Sequence, residues 1–198
     1  MIDKIYFITS NKQKAKSAEK QFRDSGLNIE IEEKDLDIIE PQAENSKEVS
    51  AIKARQAFDI LKKPLIVEDG GFSIEALNGF PGVYSKHVIN MIGIEGIIKL
   101  MEGVEDRKCS FMSCTTFINE KGEMFQFERL GGSGIVPEKI SPIQSPFAWS
   151  EFWRIFYIPR FQKTLSEMSE EELFDQWNND TEKTSINVFI SWIKKIYL

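Results

Sequence analysis

Short apolar runs alternate with amphipathic helical patterns in the first third of the chain, and this alternation restricts the fold more than any other feature. In order, the patterns are an apolar run at 5–8, a helical pattern over 15–22, alternating apolar residues at 29 and 31, a helical pattern from about 46 to 61, and an apolar run at 65–67. This strand–helix–strand–helix–strand order predicts an α/β layer in which at least some strands are parallel.

The second half of the chain adds longer strands to this layer. The runs 108–118 and 123–130 indicate two strands, and Asn119-Glu120-Lys121-Gly122 between them is typical of a hairpin turn. The glycine-rich segment 131–134 then predicts an end to the sheet pattern. Because the sequence contains no convincing linker or repeat, residues 1–198 are interpreted as a single domain with two lobes.

Composition excludes several classes of protein. The chain has a formal net charge of -6 and 41% hydrophobic residues, as in an ordinary globular protein. A protein that binds a nucleic acid polymer normally carries a basic excess, and no apolar run is long enough for a membrane span. Cys109 and Cys114 are five positions apart, which places them on opposite faces of a strand and argues against a disulfide. We therefore expect a reduced, soluble, cytoplasmic protein with neither nucleic acid nor membrane as a partner.

Two adjacent carboxylates, Glu68 and Asp69, directly follow the apolar run at 65–67. We expect them at the C-terminal end of a strand, where open α/β sheets place their ligands. Carboxylate oxygens are ligands that Mg²⁺ prefers, and Gly70 would let a substrate approach the backbone. A solvated turn is the alternative interpretation of the same residues.

A polar turn, Thr9-Ser10-Asn11-Lys12-Gln13-Lys14, connects the first apolar run to the first helical pattern. The N-terminus of a helix presents backbone N–H groups and the positive end of its dipole, and both suit a phosphate group. Lysine side chains in the turn could add positive charge. The alternative is an ordinary helix cap formed by Ser10 or Asn11, and the Gly-x-x-x-x-Gly-Lys pattern of a Walker loop is absent.

Two later segments have both a structural and a functional interpretation. The segment 78–86, Asn-Gly-Phe-Pro-Gly-Val-Tyr-Ser-Lys, contains a Gly-x-Pro-Gly turn that is rigid by itself. Phe147 and Trp149 lie in a loop, where an aromatic ring could stack on a base or cover the core.

Taken in order along the chain, these segments resemble the inosine triphosphate pyrophosphatase family, whose members remove non-canonical purine nucleoside triphosphates. The resemblance spans about residues 4–149 and depends most on Val-Glu-Asp-Gly-Gly-Phe at 67–72 and Gly-Phe-Pro-Gly-Val-Tyr-Ser-Lys at 79–86. Supporting matches are the turn at 9–14, Glu40, Lys53 and Phe-Ala-Trp at 147–149. The resemblance implies an elongated α/β fold with a long central mixed sheet, two lobes flanking a substrate cleft, and a homodimer.

The resemblance also implies a role for each matched residue. Glu40 and Asp69 would bind Mg²⁺, and Asp69, with Glu68 beside it, would accept the proton of an attacking water. The residues that would contact the nucleoside triphosphate are Thr9, Ser10, Asn11, Lys12, Gln13, Lys14, Lys53, Gly70, Lys86, Phe147, Trp149 and Lys183.

The resemblance weakens after Trp149. Ser150 stands where the family carries an aspartate, and an acidic segment is inserted at 169–180. The family's His-Arg pair, which reads the purine 6-oxo group, is replaced by Val188 and Phe189. Apolar side chains cannot donate hydrogen bonds, and the loss of matched polar contacts can cost orders of magnitude in discrimination. Packing in the last helix is the alternative role for Val188 and Phe189.

Three functional hypotheses follow from this pattern. The first is hydrolysis of a nucleoside triphosphate such as ITP, XTP or dITP to the monophosphate and pyrophosphate. The second is the same reaction with changed base specificity. The third is a regulatory protein that binds nucleotides and has lost turnover.

Overall fold

The computed structural model describes residues 2–178 and 184–197. Its α-helices are α1 (Lys12–Asp24), α2 (Ser46–Leu61), α3 (Ser85–Leu100), α4 (Glu170–Asn178) and α5 (Ser185–Tyr197). Its strands are β1 (Lys4–Ile8), β2 (Glu30–Lys34), β3 (Leu65–Ile74), β4 (Pro81–Gly82), β5 (Lys108–Ile118), β6 (Met124–Ile135), β7 (Tyr157–Ile158) and β8 (Lys163–Thr164).

Within these residues, eight strands form one mixed sheet in the order β2-β1-β3-β5-β6-β7-β8, with β4 paired to β3. Strand β1 pairs in parallel with both β2 and β3. The pairs β3–β4, β6–β7 and β7–β8 are antiparallel. The parallel strands are separated in sequence by α1 and α2, because a parallel pair needs a long crossover connection. The predicted α/β class with a long central mixed sheet is confirmed.

Strand β3 is longer than the sequence predicted. Glu68 and Asp69 lie in the middle of it, so the prediction that they stand at the end of a strand is wrong. The strand continues because Phe72 and Ile74 are fully buried and Phe72 pairs with Gly82 of β4. Four consecutive residues of low apolar character, 68–71, therefore interrupt the hydrophobic pattern without interrupting the strand.

Two glycines explain why the sequence predicted strand ends within β3 and β6. A Cβ atom at Gly71 would overlap the carbonyl oxygen of Gly82, so only glycine allows the two strands this approach. Strand β6 likewise runs through 131–134, where the sequence predicted an end. A Cβ atom at Gly134 would collide with the ring of Phe156. Glycine in a strand can mark a break in the strand or a place where another group approaches the backbone closely. These two glycines mark close approaches.

The chain divides into two compact units, each built from separate segments. The first unit contains Met1–Asp69, Ser113–Arg129 and Thr184–Leu198, and the second contains Gly70–Met112 and Leu130–Lys183. In the first unit, the largest apolar cluster includes Ile5, Phe7, Phe22, Ile66, Phe117 and Phe189. In the second, the cluster includes Phe72, Phe111, Phe152, Trp153 and Phe156. That residues 1–198 behave as one domain stays a prediction.

Cys109 and Cys114 are both buried, and both are free, which agrees with the argument from their spacing against a disulfide. In the described part of the chain, no helix is both long and apolar enough to cross a membrane.

Candidate active site

The first feature of the candidate site is the N-terminus of α1. Asn11 is the N-cap, and its side chain accepts hydrogen bonds from the backbone N–H groups of Gln13 and Lys14. The Thr9 hydroxyl oxygen accepts a further bond from the backbone N–H of Asn11. The capping interpretation of this turn is therefore satisfied. A phosphate group that bound here would have to replace the Asn11 side chain at these N–H groups, so the phosphate interpretation stays a prediction.

The second feature is a lysine shared by two carboxylates. Lys53 lies on α2, and its Nζ donates to Glu40 Oε1 at 2.9 Å and stands 3.9 Å from Asp69 Oδ1. The side chains of Lys53 and Asp69 are only 17% and 14% exposed, whereas that of Glu40 is 49% exposed. Charges that are largely removed from water interact more strongly than surface pairs. The helix therefore delivers one positive charge to two acidic residues that are far apart in sequence.

The third feature is a second ion pair, formed by Glu68, which precedes Asp69 on β3. Lys14 Nζ of α1 lies 3.5 Å from Glu68 Oε2, and both side chains are mostly buried. Glu68 and Asp69 are adjacent on β3, and each meets a lysine from a different helix; Lys14 and Glu68 also act electrostatically on Asp69. We refer to these five side chains as the carboxylate–lysine cluster: Lys14, Glu40, Lys53, Glu68 and Asp69. All five belong to the first unit.

The carboxyl group of Asp69 is electrostatically unusual. Burial raises its pKa from 3.8 to about 6, and Glu40 and Glu68 act in the same direction, while Lys14 and Lys53 oppose the rise. A buried carboxylate is poorly solvated, which favours its neutral form. Asp69 is therefore a stronger proton acceptor than an exposed aspartate and is still mainly ionised at neutral pH.

The donor atoms of the cluster suit a magnesium ion. Glu40 and Asp69 lie within 4 Å of the same ammonium nitrogen, so their carboxylates already face a common positive charge. Mg²⁺ usually takes one or two protein carboxylates and completes its shell with waters and phosphate oxygens. Residues 2–178 and 184–197 contain no group of three or more His, Cys, Asp or Glu side chains that could hold a metal ion.

Sequence reasoning missed two hydroxyl groups beside Glu68. Ser185, the first residue of α5, donates to Glu68 Oε1 at 3.5 Å, and its hydroxyl oxygen is 2.8 Å from that of Thr115 on β5. Both Ser185 and Thr115 are fully buried. Thr115 lies on a strand that carries several hydroxyl side chains, so the sequence offered no distinctive signal, and its partner comes from a helix seventy residues further along the chain.

The other predicted ligand residues belong to the second unit. Gly70 opens that unit on β3, and Lys86 is an exposed residue of the first turn of α3. Phe147 is 43% exposed, whereas the Trp149 ring packs against Phe111 at a centroid distance of 4.9 Å. Core packing is therefore the observed role of Trp149. The predicted contacts of Lys86 and Phe147 with substrate stay predictions.

The C-terminal positions divide into three cases. Lys183 lies outside the described residues. Phe189 is fully buried in the core of the first unit, where its ring contacts Phe117 at a centroid distance of 5.0 Å. Val188 is partly exposed on the same helix. Packing in the last helix is thus the role that Phe189 fulfils.

Fold and site together define a mixed α/β protein whose polar site combines paired carboxylates with lysines from two helices. A sequence model of the Ham1 family matches residues 5–174, and the chain belongs to this family. The family membership predicted from the motifs is thereby confirmed.

Named relatives and solved structures agree with this assignment. The chain is 40% identical over 169 residues to a dITP/XTP pyrophosphatase of Methanothermobacter marburgensis, covering 85% of this chain and 86% of that protein. It is 32% identical over 193 residues to a dITP/XTP pyrophosphatase of Thermococcus kodakarensis, covering 97% and 98% of the two chains. A HAM1 protein from Coxiella burnetii shares the fold with a TM-score of 0.78 at 22% identity, over 98% of this chain and 100% of that one.

Proposed function

We propose that the protein hydrolyses a nucleoside triphosphate to the nucleoside monophosphate and pyrophosphate. The observation that carries the proposal is the carboxylate–lysine cluster, in which three carboxylates and two ammonium groups converge within the first unit. A triphosphate is strongly anionic, and positive groups must balance its charge before a nucleophile can approach. The names of the relatives in M. marburgensis and T. kodakarensis support the same reaction.

In the proposed reaction, a water oxygen forms a bond to the α-phosphorus, and the bond from that phosphorus to the bridging oxygen of the β-phosphate breaks. Asp69 accepts the proton of the water, for which its burial and raised pKa are suited. Lys14 and Lys53 balance the charge that develops on the phosphate oxygens. Glu68 stands beside Asp69 and orients the water. Pyrophosphate is the leaving group.

Mg²⁺ is the proposed cofactor, and Glu40 and Asp69 are the residues that would hold it. When bound, the ion supplies positive charge to the phosphate groups and makes a neighbouring water more acidic. Both effects complement a carboxylate that acts as the proton acceptor.

For the base, we propose a non-canonical purine, as the relatives' names suggest, with weaker discrimination than the family pattern implies. The family's His-Arg pair is replaced by Val188 and Phe189, and Phe189 is buried among Phe22, Phe117 and Phe127. A buried aromatic ring offers no hydrogen bond to a 6-oxo group. Discrimination that depends on such bonds can reach 10⁴-fold or more, and most of that is lost when the bonds are missing.

A panel of triphosphates tests this function. We expect magnesium-dependent pyrophosphate release from dITP, ITP and XTP. For the ordinary purine triphosphates, we expect kcat/KM to be lower than for these substrates by a factor of less than about 100. A preparation of Asp69→Asn purified in parallel controls for contaminating phosphatases. An exclusive preference for the non-canonical purines would contradict the relaxed specificity. Tight nucleotide binding without pyrophosphate release would instead favour the regulatory hypothesis.

We also propose that the protein is a homodimer located in the cytoplasm. Support for a dimer comes from large apolar side chains exposed on α3, where Met91, Ile92 and Leu100 are 81%, 45% and 48% exposed. Free thiols at Cys109 and Cys114 suit a reducing compartment. Sedimentation equilibrium should give twice the 22.8 kDa chain mass, and Met91→Glu should shift the equilibrium toward monomer. A wild-type protein that sediments as a monomer at all concentrations tested would contradict the dimer.

A further inference from the structure

We propose that Ser185 and Thr115 are positioning residues that hold the Glu68 carboxylate in a single orientation during the reaction. This inference rests on the proposed function, because it assigns the two hydroxyl groups to the same water-orienting step. It concerns side chains to which the family resemblance gives no role. The three residues come from β3, β5 and α5, so only the folded chain brings them together.

The chemistry of the three groups determines the direction of their hydrogen bonds. An ionised carboxylate can only accept, so Ser185 must donate its single hydroxyl proton to Glu68 Oε1, across 3.5 Å. Ser185 can then only accept at its contact with Thr115, which must donate across 2.8 Å. The relay therefore runs from Thr115 through Ser185 to Glu68. Bonds to reacting carboxylates are often long before substrate binds and tighten in the complex.

The two oxygens of Glu68 are held from different sides. Ser185 contacts Oε1, whereas Lys14 Nζ lies 3.5 Å from Oε2. A carboxylate held at one oxygen can rotate about its last bond, and one held at both oxygens cannot. The lysine contributes charge, while the hydroxyl contributes direction. Loss of Ser185 is therefore expected to leave the charge of the site unchanged and to loosen its geometry.

The position of Ser185 is itself well defined. The preceding residue, Thr184, exchanges hydrogen bonds with Asn187 through backbone and side-chain atoms, and this reciprocal pair fixes the start of α5. The Thr184 hydroxyl also contacts Gln21 of α1 at 3.1 Å. Ser185 and Thr115 are fully buried, so neither hydroxyl is in contact with bulk water.

The chain contains a matched control for this relay on the other face of β5. Thr116 adjoins Thr115, is equally buried, and makes an equivalent hydroxyl–hydroxyl bond of 2.7 Å to Ser50. Gln126 donates a further bond to the Thr116 hydroxyl at 3.0 Å. Neither partner of Thr116 belongs to the carboxylate–lysine cluster. Removing the Thr116 hydroxyl therefore reproduces the structural cost of losing a buried bond without disturbing Glu68.

The test compares steady-state pyrophosphate release by four variants. Ser185→Ala is expected to lower kcat about 10- to 100-fold with KM changed less than about 2-fold, the usual effect of losing a supporting partner. Thr115→Val should lower kcat to a smaller extent, and Thr115→Ser, which keeps the hydroxyl, should restore it. Thr116→Val should retain the wild-type kcat. Urea unfolding of every variant measures the structural cost separately.

A double variant tests whether Thr115 acts through Ser185. Because Thr115 acts through Ser185, Thr115→Val combined with Ser185→Ala should be no slower than Ser185→Ala alone. Equal losses in Thr115→Val and Thr116→Val, or an unchanged kcat in Ser185→Ala, would overturn the positioning role while leaving the proposed function intact. If Ser185→Ala does not fold, the Thr115 and Thr116 variants decide. A wild-type protein without turnover on any triphosphate would overturn both.

Discussion

Asp69→Asn is expected to lower kcat for pyrophosphate release by about 10³-fold or more, because a positioned proton acceptor typically contributes 10²- to 10⁴-fold. The amide has almost the same shape but cannot accept the proton of water, and it is a poor ligand for Mg²⁺. Asp69 is also the carboxylate whose pKa burial raises to about 6, above that of an exposed aspartate. The measurement is single-turnover and steady-state release of pyrophosphate from dITP or XTP.

The fold should tolerate this substitution. Because the folded protein raises the pKa of Asp69 above its ordinary 3.8, the ionised form opposes folding at neutral pH. A neutral amide is therefore expected to leave the free energy of unfolding unchanged or to raise it slightly, measured without magnesium. Asp59→Asn is the matched control, since Asp59 is an exposed α2 residue that forms an ion pair with Lys62 at 2.8 Å. Wild-type turnover in Asp69→Asn would remove Asp69 from its proposed role.

Phe189→Ala is expected to destabilise the protein by about 3–5 kcal/mol, the range for removing a buried phenylalanine side chain. The ring is fully buried and contacts Phe22, Phe117 and Phe127 at centroid distances of 5.9, 5.0 and 5.4 Å. Its loss would leave a cavity among rings that cannot all collapse into it. Urea unfolding monitored by far-UV circular dichroism measures the change.

Two companion substitutions separate packing from base recognition. Phe174→Ala, at a residue that is 52% exposed, should cost less than about 1 kcal/mol. Phe189→Leu should retain the fold and leave the relative kcat/KM values of the triphosphate panel unchanged, because a core side chain does not contact the base. A changed order of preference in Phe189→Leu would show that residue 189 influences the base after all.

Local sequence patterns predicted most elements well and failed where packing overrides them. The run 108–118 matches β5, and the helical pattern from 46 to 61 matches α2, because each carries an uninterrupted period over many residues. Strand β3 was predicted to end at Glu68 because polar residues and glycines look like a turn. The strand continues because Phe72 is buried and because β3 pairs with β4, and no local sequence pattern shows either property.

The candidate site shows the same division. The roles of Glu40, Lys53 and Asp69 were predicted from the family resemblance, and the fold brings both carboxylates to the Lys53 ammonium group. Asn11 was left open between a helix cap and a phosphate contact, and only its hydrogen bonds to Gln13 and Lys14 established the cap. A side chain in a loop can serve either purpose, so its partners must be seen.

By itself, the sequence determined the α/β class, the family, and the acidic and basic residues that make up the cluster, because periodicity and motif spacing are local properties of the chain. Tertiary structure alone decided that Glu68 and Asp69 lie within a strand and that Phe189 lies in a core. It also joined Ser185 to Thr115 across seventy residues of sequence. The burial of a side chain and its hydrogen-bond partners depend on which distant segments of the chain are in contact. Local sequence patterns do not contain that information.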